Sequence, residues 1–214
     1  TAACGNLFSG NEMRGIYKST NGGQDWERTL FVSDITSAVD LVMHPTNPNI
    51  LYAAMWERLR GLNFRQSFGD TSGIWKTTDG GDNWFELTNN LPTGDDVGRI
   101  GIDISKSNPE VLYAMYDMPG AECRVYRTGN GGEEWTRTND FYLDGMHSYF
   151  GWYFGQIRVD PTNENRAYVM GVELYRTDNG DDWILLADYG NTYEIHVDHH
   201  AMYIDENSNR IIEG

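Results

Sequence analysis

One twelve-residue pattern recurs along the chain and limits its fold more than any other feature. Gly15 to Trp26 reads GIYKSTNGGQDW, and it returns at Gly73 to Trp84 as GIWKTTDGGDNW. A third copy runs from Arg124 to Trp135 (RVYRTGNGGEEW), and a shorter fourth from Leu174 to Trp183 (LYRTDNGDDW). The four tryptophans stand 58, 51 and 48 residues apart. That period matches one four-stranded propeller blade.

A second element alternates with the first: a strand, a Pro/Asn turn and another strand. It appears at Leu41 to Ala53, Ile102 to Ala114, Ile157 to Val169 and Met202 to Ile212. One unit therefore holds four strands, A to D. Strands A and B flank the Pro/Asn turn, and strands C and D flank the glycine turn. Each motif residue has a structural task. The glycines supply the positive φ of a tight turn. The Asp or Asn accepts backbone N–H bonds across it. The Trp packs its ring under the turn, where its indole N–H seeks a partner. All four repeat tryptophans are expected to be largely buried.

The pattern Ser/Thr-x-Asp/Asn-x-Gly-x-x-Trp resembles the Asp-box (BNR) repeat. The matching residues are Ser19, Asn21, Gly23 and Trp26; Thr77, Asp79, Gly81 and Trp84; and Thr128, Asn130, Gly132 and Trp135. In the fourth copy they are Asp178 and Trp183, but it is one residue short, so its turn should differ. Sialidases, family 74 xyloglucanases and sortilin-like Vps10 domains share this repeat. With the Pro/Asn turns added, the chain most resembles the sortilin/xyloglucanase-like group. The resemblance implies an all-β fold: a β-propeller of four-stranded antiparallel blades, with residues 1–214 as one domain of about four blades. It also implies that further blades of a larger propeller lie elsewhere. The sialidase set of an arginine cluster, a Tyr nucleophile and an acidic partner does not align here residue by residue.

Composition agrees with short strands and tight turns: 24 glycines and 13% aromatic residues. The formal net charge of −16 opposes binding to nucleic acid or to an anionic membrane surface. No stretch approaches a membrane-spanning length, and Thr1 to Asn6 carry no signal-peptide features. Cys4 and Cys123 fit no metal spacing; they read as two separate buried thiols, with a disulfide as the alternative. The resemblance implies an extracellular, cell-surface or periplasmic setting.

Strand parity assigns the functional face. The A–B and C–D turns share one face of a blade, and the B–C and D–A connections share the other. The long connections, residues 56–72, 139–155 and 188–198, all fall on the second face, where binding loops are expected. The first carries Trp56, Arg58 and Arg60, with Phe64, Arg65 and Phe68. The second carries Tyr149, Trp152 and Tyr153, with Phe141, Tyr142, His147, Phe150 and Phe154. Aromatic rings beside charged groups suit the faces and hydroxyls of a glycan, or a peptide anchor. The alternative is that they pack loop on loop.

The third connection ends in His196-Val197-Asp198-His199-His200, which holds three of the five histidines. Aligning Ile204 with the other A strands places this segment at the inner end of strand A. Alternation there would put Asp198 and His200 on one side. The group then reads as a structural plug, as substrate contact with Asp198 as acid or base, or as a divalent-metal site at His196, Asp198 and His200. No other cofactor is implied. The main functional reading is a propeller that binds a glycan or protein through aromatic loops. The alternatives are a glycoside hydrolase of the xyloglucanase or sialidase-like type, and a structural module of a large secreted protein. A hydrolase needs a second carboxylate, for which Asp140, Asp144, Asp95 and Asp96 are candidates.

Overall fold

The computed structural model describes residues 1–188, 190, 195–208 and 210–214. Among them the only helix is two single 3-10 turns, Pro119–Ala121 and Phe141–Leu143. Everything else regular is antiparallel sheet. The chain divides into two compact units, Thr1–Ile100 and Gly101–Gly214.

The first unit opens with a three-stranded sheet, Ala2–Ala3, Gly15–Lys18 and Glu27–Leu30. A four-stranded blade follows: Thr36–Met43, Leu51–Glu57, Gly73–Thr77 and Phe85–Leu87, paired in that order. Ile16, Leu30, Ala38, Ala53 and Met55 fill the core between these sheets. A small hairpin, Leu59–Arg60 with Arg65–Gln66, stands on the connection between the second and third strands of the blade.

The second unit holds two more four-stranded blades. One is Ile100–Ile104, Leu112–Met118, Glu122–Thr128 and Thr136–Arg137; the other is Gln156–Asp160, Asn163–Met170, Leu174–Thr177 and Ile184–Ala187. The last hairpin pairs Met202–Asp205 with Arg210–Glu213. Second strands such as Leu112–Met118 are buried on both sides, so they read as apolar runs without alternation. Between the two blades, Val111, Tyr113, Met115, Val125, Ile157, Val169 and Trp183 form one core. The propeller blades expected from the repeat are present.

The glycine turns repeat one bonding scheme. Thr77 Oγ1 accepts from Gly81 N at 3.0 Å and donates to Asp79 Oδ1 at 2.8 Å. The same Oδ1 accepts from Asn83 N at 2.9 Å. Ser19, Asn21 and Gly23 repeat this geometry, as do Thr128, Asn130 and Gly132. Paired glycines at positive φ, such as Gly80 and Gly81 at 74° and 96°, close each of these turns.

The shorter fourth turn has a single such glycine, Gly180 at φ 80°. Thr177 Oγ1 there accepts from a residue three positions on, and Asn179 takes the part that Asp79 plays. Asp178 is therefore not the turn residue; its carboxylate pairs with Arg166 and Arg176.

Burial of the tryptophans is uneven. Trp135 and Trp183 are buried, Trp84 is half-buried, and Trp26 is 51% exposed. Trp26 Nε1 donates to Gly23 O within its own turn at 3.1 Å, and its ring borders an open cleft of about 350 Å³. Both cysteines are free; Cys123 is buried, but Cys4 is exposed.

Candidate functional site

The loop 139–155 of the second unit is a built platform. Leu143, Met146, His147 and Phe154 are its buried anchors. Its backbone bonds to itself, with Phe150 N to His147 O at 2.7 Å and Tyr153 N to Phe150 O at 2.8 Å. Positive φ at Ser148 and Tyr149, 46° and 68°, lifts the chain outward between these bonds. Gly151 lies against the buried carboxylate of Asp117, which would have to shift to admit a side chain there. Asp140 closes the base of the loop: its carboxylate accepts from Val125 N at 2.9 Å and pairs with Arg137 at 2.8 Å. Its oxygens are thus committed to structure. Asp144 accepts from Cys123 N at 3.3 Å.

With the anchors inside, the remaining rings face out. Tyr149, Phe150 and Tyr153 are exposed, as are Phe141 and Tyr142 at the loop's start. Trp152 is half-buried between Phe150 and Tyr153, with ring centroids 6.4 and 5.5 Å away. His200 joins this row, edge-on to Tyr153 and stacked on Phe154, each at 4.9 Å. The predicted residues Tyr149, Trp152, Tyr153 and His200 therefore come together.

The segment from His196 to His200 is otherwise not as the alternation argument placed it. It is not strand; the strand begins at Met202. Asp198 sits at φ 77°, a left-handed conformation that breaks any alternation, and its N–H donates to Val172 O at 3.0 Å. Asp198 and His200 thus do not share a strand face. The buried histidine is His199, whose Nδ1 is bonded to Glu213 and whose N–H reaches Gly171 O at 2.8 Å. His196 is exposed and donates from Nδ1 to Val197 O at 2.8 Å. The three histidines face three different partners. Among the described residues no group of three His, Cys, Asp or Glu could hold a metal ion. Residues 189 and 191–194 of the expected 188–198 loop lie outside the described residues.

In the first unit, the strand Leu51–Glu57 runs further than the sequence suggested and takes in Trp56. Trp56 is fully buried, with Nε1 donating to Ser67 O at 2.7 Å, so its ring is no stacking platform. Arg58 lies over it, its guanidinium carbon 4.4 Å from the ring centroid, and Arg99 lies at 5.9 Å. Burial, followed by the charges of Arg60 and Arg99, pushes Arg58 down to about 10. Arg60 is exposed. Buried Arg14 anchors the region by donating to the carbonyls of Ile35, Arg58 and Asn6. The Glu57 carboxylate holds the connection through Gln66 and Thr71. The sequence argument missed Arg99, because no local pattern ties it to Trp56.

No family model matches the chain. Xyloglucanase Xgh74A of Acetivibrio thermocellus is 22% identical over 85% of this chain and 24% of its own length. The chain thus spans about a quarter of that relative. The GH74 xyloglucanase of Xanthomonas campestris superimposes with a TM-score of 0.59 at 21% identity, over 79% of this chain and 24% of that one. The GH74 enzyme of Niastella koreensis gives 0.55 at 23% identity, over 79% of this chain and 27% of that one. In fold, therefore, the chain is a β-propeller of the kind these xyloglucanases build.

Proposed function

We propose that this propeller acts on a polysaccharide of the xyloglucan class, with loop 139–155 as a sugar-stacking platform. The observation that carries this reading is the row of rings Phe150, Trp152 and Tyr153 with His200, held outward by a loop anchored through buried Leu143, Met146, His147 and Phe154. Sugar rings present C–H faces that pack on aromatic rings while their hydroxyls reach nearby polar groups. The named substrate of the similar enzymes supports a polysaccharide over a peptide. Hydrolysis is favoured over binding alone for the same reason.

Asp198 is the carboxylate we assign to the acid or base role. It is exposed, strained at positive φ and two residues from His200 in the ring row. Strain of this kind concentrates at functional sites. A polysaccharide of this class is met outside the cell, so the protein is assigned there. No helix among the described residues is long and apolar enough to cross a membrane.

The test is titration of a xyloglucan oligosaccharide with reducing-sugar release followed in parallel. Trp152→Ala should weaken binding, and Asp198→Asn should abolish release while leaving binding intact. Binding without release in the unaltered protein would leave a binding propeller. No binding at all would end the reading.

A further inference from the structure

Trp26 is the odd member of its repeat. Trp135 and Trp183 hold the same place in their turns and are 1% and 6% exposed, whereas Trp26 is 51% exposed. Its ring is nevertheless fixed, because Nε1 donates to Gly23 O at 3.1 Å within the turn. The orientation of the exposed indole is thus already set, and stacking on it would cost little side-chain freedom.

Trp26 lines two clefts of the first unit. One, of about 350 Å³, is walled by Tyr17, Leu41, Met43, Pro48 and Trp84. The other, of about 550 Å³, is walled by Lys18, Asp25, Glu27, Arg28 and Asp82. Thr29 and Gly81 line both, so the clefts adjoin. Each falls within the usual range of ligand clefts, about 300–1,000 Å³. Where the clefts meet, Thr29 Oγ1 and Trp84 Nε1 are buried and have no hydrogen-bond partner among the described residues. A Cβ on Gly81 would lie 3.4 Å from that hydroxyl and 3.6 Å from that nitrogen, so both atoms flank the space this glycine leaves open. In the second unit the corresponding atoms close on each other, Trp183 Nε1 donating to Thr138 Oγ1 at 3.1 Å. Leaving such a pair unmet costs stability, and a ligand hydroxyl that accepts from the indole and donates to the threonine would restore it.

We propose that the two clefts around Trp26 form a second sugar subsite, for a neutral glycan chain, separate from the platform of loop 139–155. A sugar ring packs its C–H face on the exposed indole, and its hydroxyls donate to the carboxylates of Asp25, Glu27 and Asp82. Asn21 Nδ2 holds Asp25 Oδ2 at 2.8 Å, and Lys18 pairs with Asp82 at 3.6 Å, so two of these carboxylates are already positioned. The three carboxylates, in a chain of formal net charge −16, select against acidic sugars. The inference rests on the polysaccharide reading above and adds a holding point in the other unit.

The experiment titrates the full chain calorimetrically with a xyloglucan oligosaccharide. Two sites per chain are expected. Trp26→Ala should leave only the platform, and Trp152→Ala/Tyr153→Ala should leave only the site at Trp26. Each loss should be roughly tenfold or more in affinity, and the triple variant should not bind. Trp26→Phe keeps a ring face and should retain part of the affinity. Thr29→Val keeps the shape, removes the hydroxyl and should weaken this site alone. Half of the Trp26 ring is already in water, so melting curves should show both Trp26 variants folded. A single site that Trp26→Ala leaves unchanged overturns the proposal and spares the platform. Tighter binding of a galacturonic acid oligosaccharide to Trp152→Ala/Tyr153→Ala also overturns it. So does self-association that Trp26→Ala abolishes in light scattering, since the ring would then be a contact between copies. If the unaltered protein binds no oligosaccharide, the polysaccharide reading fails with it.

Discussion

The indole Nε1 of Trp183 donates to Oγ1 of Thr138 over 3.1 Å, and that hydroxyl donates on to Val125 O at 3.1 Å. One turn tryptophan thereby ties its blade to the last strand of the blade before it. Its counterpart Trp26 donates inside its own turn, to Gly23 O. Motif identity does not make the tryptophans equal in energy.

Replacing Trp135 by Ala should cost about 3–5 kcal/mol, the usual loss for a buried aromatic truncation. Trp26→Ala should cost less than about 1 kcal/mol, since half of that ring is already in water. Urea denaturation of the two variants checks this, and equal losses would refute it.

Gly151→Ala should destabilise by about 1–3 kcal/mol, because its methyl would strike the buried Asp117 carboxylate. Gly69→Ala should do the same in the first unit, where the obstacle is Glu57. Adding Asp117→Ala to Gly151→Ala should remove the clash, which a double-mutant cycle measures.

Asp79 should make stability fall in acid. Hydrogen bonds, first from the Asn83 side chain and then from its backbone and Thr77, hold its carboxyl down to about 2. A carboxyl lowered in the folded state stabilises above its unfolded value near 3.8, and that contribution is lost as pH falls toward 2. Asp79→Asn keeps an acceptor, as Asn130 does in the next blade. The melting temperatures of the two proteins should converge as pH drops from 5 to about 2. A constant gap would show that Asp79 is not the titrating group.

Tyr153→Ala should weaken xyloglucan-oligosaccharide binding by roughly tenfold, as loss of an aromatic anchor does. Phe85, exposed on another blade, is the control, and Phe85→Ala should change nothing. Equal effects would mean that the rings of loop 139–155 are not the platform.

The turns were legible in the sequence because every atom of their bonding scheme lies within seven residues, as Thr77 to Asn83 show. What depends on distant packing was not. Trp56 was placed in a loop, yet its strand runs on to Glu57 and buries it. The histidine segment read as strand, but the left-handed turn at Asp198 sends His199 to Glu213 and His200 to Phe154. The ring row of loop 139–155 was visible as composition; which rings face outward was not, since that follows from Leu143 and Met146 anchoring in the core.

The two cysteines give the molecule a built-in clock for its own opening. Cys4 is exposed in the first unit, while Cys123 is sealed in the core of the second, its thiol pushed up by burial. An alkylating reagent should mark Cys4 at once and Cys123 only when its blade comes apart. The lag between the two marks would time the unfolding of that blade in the unaltered protein, with no label added to its surface.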